Sequence, residues 1–211
     1  MTAAATGRAP SAAPPSPRTP SPRAPSPRQD ELLELAYRYV LTRGLADMSL
    51  RPLAKAIGSS PRVLLFLYGS KDNLIRALLE RARADELAAI EAFREAGGAA
   101  GLTDAALQVW RWLSDRGHRH LLGLWVEAYA RSLVDPGGPW AHFAAQTVQD
   151  WLGLLADRQP PQRRGRAGAA ERTAVLAVLR GAMLDLLATG DDGRVTRSVT
   201  LVLRSLQAVS G

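Results

Sequence analysis

The sequence predicts an all-α protein: an N-terminal three-helix head containing a helix-turn-helix, then a larger helical body, about nine helices in all. Three observations predict it. Apolar residues recur at three-to-four spacing from residue 29 onward. No stretch sustains the period-two alternation of a half-buried strand. The periodic runs are cut by Gly, Ser-Pro and Pro-Gly clusters of the kind that start and stop helices.

Residues 1–28 are a different material. They carry eight of the 14 prolines, four arginines and no acid, with an echo of Ser16-Pro17-Arg18 at Ser21-Pro22-Arg23 and Ser26-Pro27-Arg28. Proline at this density forbids helix and leaves little apolar surface to bury, so a solvated tail is expected. The alternative is a basic arm on DNA phosphates.

The first helix is expected from Gln29, with Leu32, Leu33, Leu35, Ala36, Tyr39 and Val40 as its stripe and an end near Gly44. Ser49 is a good N-cap for a second helix, which tolerates Pro52 only because the first turn lacks intrahelical amide partners and which stops at Gly58. Ser60 caps a third helix with Pro61 at its first position, and Gly69 ends it. Ser70 caps a fourth, periodic over 74–96 and closed by Gly97-Gly98. Further helices are expected over 103–115, 118–133, 139–156, 170–189 and 194–209, with a basic Pro/Gly-rich loop over 158–168. The expected division is a tail over 1–28, a head over 29–75 and a body over 76–211.

Composition excludes several classes of function. The chain has no cysteine, which removes disulfides, thiolate metal sites and thiol catalysis. No apolar run reaches the ~18 residues of a membrane span, and the N-terminal segment lacks an apolar signal region, so a cytoplasmic protein without membrane contact is expected. There is no Gly-rich phosphate loop, His-Glu-x-x-His or Gly-x-Ser-x-Gly, so no enzyme is expected. His118 and His120 are two apart and do not share a helix face, so no metal or cofactor is expected. The formal charge of +7 is compatible with nucleic acid.

A helix, a short break and a second short helix give the spacing of a helix-turn-helix. Leu53, Ala54, Ile57, Val63 and Leu64 are available to pack the pair, and Gly58 permits the sharp turn. From Met48 to Lys71 there are four basic residues, Arg51, Lys55, Arg62 and Lys71, and no acid, as suits a segment approaching DNA.

Ser49, Leu53-Ala54, Gly58, Ser60, Tyr68, Ser70, Lys71 and Leu74 fall in one register, and over about residues 31–78 this pattern resembles the DNA-binding domain of TetR-family regulators. The resemblance implies a dimeric regulator that binds a palindromic double-stranded DNA operator, with repression relieved by a small effector. By position, Ser60, Pro61, Arg62 and Phe66 are expected at the major groove, with Arg62 either reading a guanine edge or clamping a phosphate. Ser49, Arg51 and Lys71 are expected at phosphates. Leu65 and Leu67 stand where the family often has Tyr and His. That departure keeps open a helical ligand-binding protein with a vestigial helix-turn-helix, and, further off, an enzyme with an unrecognised site.

All five tryptophans lie between residues 110 and 151. Each is individually accounted for as core, but the resemblance implies an effector pocket in this region. Trp110, Trp125, Tyr129, His118 and Phe143 are its expected contacts, for an apolar or aromatic effector. Val195, Val199, Val202, Leu206 and Val209, with Val175, Leu176, Leu179, Met183, Leu186 and Leu187, form long stripes on the last two helices. Homodimerisation through those helices is expected.

Overall fold

The computed structural model describes residues 26–45, 48–96 and 101–210. Among them it has nine α-helices and no strand: α1 (Pro27–Arg43), α2 (Leu50–Ala56), α3 (Pro61–Tyr68), α4 (Lys71–Glu95), α5 (Leu102–Ser114), α6 (Arg119–Val134), α7 (Phe143–Asp157), α8 (Ala169–Thr189) and α9 (Asp192–Ser210). The tail reading falls on residues 1–25, outside the described residues, except at its end. There Ser26 caps α1, its hydroxyl accepting from the Gln29 amide at 3.3 Å, and Pro27 takes the first turn. The third Ser-Pro-Arg copy is therefore a helix start, using the device that opens α3.

The head is α1, α2 and α3, packed against the N-terminal half of α4. Leu32, Ala36 and Val40 of α1 are buried with Leu53, Ala54 and Ile57 around α2, Leu64 of α3, and Leu74 and Leu78 of α4. Tyr37, which the periodic stripe omits, is also buried. Its hydroxyl donates to Asp85 at 2.8 Å, and the Arg81 guanidinium lies 4.8 Å over its ring while pairing with Glu34 and Asp85. This cluster fastens α1 to α4. Val63, expected to help pack α2 against α3, is instead 41% exposed, because Leu64 alone takes the inward position on that turn.

α4 runs through the expected head–body boundary at 75/76 and buries Leu74, Ile75, Leu78, Leu79, Ala82, Glu86 and Ile90 along one side. In the body, α8 and α9 pack on each other and on α5, while α7 lies against α4, α6 and α8. α7 begins at Phe143 rather than Pro139. Residues 139–142 form a turn that tucks Trp140 into the core, and His142 takes up the left-handed backbone, φ 67°, that ends it. The basic loop folds on itself through Gln159, which is buried. Its amide oxygen accepts from Arg172 at 2.6 Å and its amide nitrogen donates to Glu171 at 2.9 Å.

The apolar stripes of α8 and α9 point largely inward. Val175, Leu176, Leu179, Leu186, Val195 and Val199 are buried, and so is Leu203, which the expected stripe lacked. The side chain of Val209 lies outside the described set. The outward apolar residues are Leu184 on α8 and Leu201 and Val202 on α9, exposed by 50%, 69% and 36%. No described helix is long and apolar enough to cross a membrane.

Candidate nucleic-acid interface and internal cavity

The α2–α3 pair is built from its caps. Ser60 has extended backbone and its hydroxyl accepts from the Val63 amide at 3.2 Å, Pro61 pre-sets the first turn, and Gly58 takes φ 64° to reverse the chain after α2. The far end of α3 is tied down by Tyr68. Its buried hydroxyl donates to the Gln29 carbonyl at 3.0 Å, and its own carbonyl accepts from the Asn73 side-chain amide at 3.0 Å. Burial is the main reason the Tyr68 phenol is pushed up to about 12, with the Asp30 charge adding to it.

With Leu64 and Tyr68 facing in, the opposite face of α3 carries Arg62, Val63, Leu65 and Phe66 to the surface. Phe66 is 86% exposed. With Val63 and Leu65 also exposed, this short helix presents an apolar patch rather than a single apolar residue. Arg51, Lys55, Arg62 and Lys71 are all exposed. Among the described residues none of the four makes an ion pair. Ser49 caps α2 through backbone conformation alone, leaving its exposed hydroxyl uncommitted. Ser60 and Pro61 are half-buried at the leading end of α3, beside Arg62. Each residue of the expected contact set is thus exposed or half-buried. The segment is basic and free of acids between residues 48 and 71.

The body holds a cavity of about 360 Å³ between α5, α6, α7 and α8. Trp125, Tyr129 and Phe143 are in its wall, with Val109, Thr147, Trp151, Leu179, Arg180 and Met183 among the others. Two expected contacts lie elsewhere. Trp110 is buried against α9, its indole N–H donating to the Thr196 hydroxyl at 3.0 Å. His118 stacks on Trp112 with ring centroids 4.0 Å apart, and its Nδ1 is 2.8 Å from the Trp112 carbonyl oxygen. Both are satisfied by neighbours next to the cavity, which is why aromatic content pointed at them.

Sequence reasoning missed two polar residues, Arg180 and Glu86. Arg180 reaches the cavity wall, where its guanidinium lies 5.0 Å over the Tyr129 ring and donates to that hydroxyl at 3.3 Å. Desolvation holds its pKa below the ordinary arginine value. Glu86 of α4 is fully buried behind the cavity. Its carboxylate accepts from the indole N–H of Trp151 at 2.7 Å and the hydroxyl of Thr147 at 3.2 Å, both wall residues, and pairs with Arg83 at 3.2 Å. Burial pushes its carboxyl above the ordinary range despite those contacts. Glu127 of α6 turns toward the head, where it accepts from the Leu45 amide at 2.8 Å. The cavity is thus one hydrogen bond from the helix that leads to the head.

No family model matches the sequence, and no curated protein is similar to it. Solved structures are. A TetR-like transcriptional regulator of Rhodococcus sp. RHA1 is 20% identical with a TM-score of 0.56, over 91% of this chain and 100% of that one. GusR of Salmonella enterica is 21% identical with a TM-score of 0.64, over 87% and 97%. The multidrug binding protein EbrR, in complex with imidazole, is 25% identical with a TM-score of 0.59, over 87% and 93%. The chain has the TetR-family fold. In this TetR-family fold, helix-turn-helix and body are one continuous arrangement, and the similarity extends well beyond the 31–78 register on which the sequence resemblance rested.

Proposed function

We propose that this protein is a DNA-binding transcriptional regulator with the head over 29–75 and the body over 76–211. It represses from a palindromic operator and is released by a small apolar or aromatic effector. The observation that carries this reading is the outward face of α3: an exposed, unpaired Arg62 next to the capped N-terminus, an exposed Phe66 one turn on, and no acid in the sequence from residue 48 to 71. Ser60, Pro61, Arg62 and Phe66 meet the major groove, while Ser49, Arg51 and Lys71 meet phosphates. Trp125, Tyr129 and Phe143 contact the effector. Two copies pair through α8 and α9, where Leu184, Leu201 and Val202 supply the outward apolar surface. Occupation of the cavity acts on α4 through Thr147, Trp151 and Glu86 and shifts the dimer away from its DNA-competent state.

The test is binding of the purified chain to DNA upstream of its own gene across a salt series, with light scattering on the same sample. The proposal expects a dimer whose affinity falls steeply with salt, since phosphate contacts release counterions. A dimer with no preference for that DNA over an unrelated duplex, and no salt dependence, selects the reading in which the helix-turn-helix is vestigial. A monomer removes the two-headed arrangement.

A further inference from the structure

Arg180 sits in a wall otherwise made almost wholly of hydrocarbon and aromatic surface. Of its donors, one nitrogen reaches the Tyr129 hydroxyl; the other terminal nitrogen, Nη2, is buried with no hydrogen-bond partner from the protein. The indole N–H of Trp125, another wall residue, is likewise buried and unmatched. Among the described residues Arg180 forms no ion pair. The Glu86 carboxylate is near enough to act on it electrostatically, but the hydrogen bonds of that carboxylate go to Trp151, Thr147 and Arg83. Arg180 is half-buried, but its Nη2 is buried without a partner; such an unused donor on a cation is costly to leave alone, and a ligand that brings an acceptor removes the penalty. The ring of Tyr129 fixes the guanidinium in place, so the donor is pre-organised.

We infer that the effector is an apolar molecule carrying one anionic group, a hydrophobic carboxylate, whose body fills the cavity and whose carboxylate is received by Arg180. This deepens the effector reading proposed above and rests on it. The apolar wall sets affinity for the body of the molecule, and Arg180 sets the preference for its charge.

Matched pairs test it: 2-naphthylacetate against 2-naphthylacetamide, and decanoate against 1-decanol, titrated calorimetrically into the full-length protein near neutral pH. In the wild type the anion binds at least about tenfold more tightly than its neutral partner. In Arg180→Met the ratio falls to within about twofold while the neutral compound still binds, and Arg180→Lys keeps part of the preference. Thermal melts establish that the variants fold; if Arg180→Met does not, the wild-type ratios decide. Equal binding of anion and neutral partner in the wild type overturns the inference and leaves the effector cavity standing. A preference that survives Arg180→Met also overturns it. So does a change of oligomeric state in Arg180→Met with no change of preference, which would assign Arg180 to the subunit seam. Binding by neither member of either pair overturns the inference and the apolar-effector reading together.

Discussion

Phe66→Ala separates a role in DNA binding from a role in the fold. Phe66 is 86% exposed, so only about one seventh of its surface is protected in the folded chain. Full burial of a phenylalanine is worth roughly 1.5–3 kcal/mol, so truncation removes about 0.2–0.4 kcal/mol of folding stability, close to the error of a denaturant melt. On DNA the sums differ. A ring laid against a thymine methyl and sugar hides ~50 Å² of apolar surface, worth about 1.2 kcal/mol, or roughly eightfold in Kd. The assay is a urea melt paired with fluorescence anisotropy on a selected operator, wild type and variant side by side. The expected result is an unchanged midpoint and a five- to tenfold weaker complex (order of magnitude, from about 25 cal/mol per Å²). Unchanged affinity would refute the placement of this face in the groove. A midpoint shifted by about 1 kcal/mol or more would refute the claim that the residue has no structural duty.

Three further outcomes follow from the buried polar groups and the glycine that ends α1. Glu86→Gln keeps one carbonyl oxygen for the Trp151 indole and turns its amide N–H to the Thr147 hydroxyl, which accepts it, while giving up the Arg83 pair and removing a charge that burial disfavours, so its melt stays within about 1 kcal/mol of wild type; Glu86→Leu strands both donors and costs about 1–3 kcal/mol. Gly44→Ala puts a Cβ at φ 78°, 3.2 Å from the Glu127 carboxylate that holds the Leu45 amide, so it destabilises by about 1–3 kcal/mol in a thermal or urea melt. The Tyr68 phenol is raised from 10.0 to about 12, and that of Tyr37 moves the same way. A group with a raised folded-state pKa contributes stability that is whole below the unfolded value and lost as pH climbs through the folded one. Stability therefore falls between about pH 10 and 12, and Tyr68→Phe, less stable by about 1 kcal/mol near neutrality, closes that gap over the same window in urea melts.

The head was legible because its information is local. Ser60-Pro61, Gly58 and Ser70-Lys71 act within one turn, and the structure places α3 and α4 at the residues those signals indicate. The same signal at Ser26-Pro27 was absorbed into the tail because two similar Ser-Pro-Arg copies precede it, although only this one is followed by an apolar stripe. Body features set by tertiary contact were less visible. Pro139 reads as a helix start, but burial of Trp140 outweighs it and delays α7 by four residues. Trp125, Tyr129 and Phe143 could be found from aromatic content. Arg180 and Glu86 could not, since a charge within a helix reads as a solvent-facing position, and only packing shows that Glu86 is enclosed and that Arg180 is half-buried in the cavity wall. On α9 the periodic valines predicted an interface; Val195 and Val199 are buried where α9 packs on α5 and α8, and the outward residues are Leu201 and Val202.

The most direct measurement is selection of duplexes from a randomised library by the full-length protein, followed by affinity measurements with Arg62→Ala on the selected site. The account predicts a two-fold symmetric sequence bound by one dimer, a loss of about 1–3 kcal/mol in Arg62→Ala, and relaxed preference at one position of each half-site if Arg62 reads a base. Recovery of no enriched sequence, or an enriched site that Arg62→Ala binds as tightly as wild type, would contradict it.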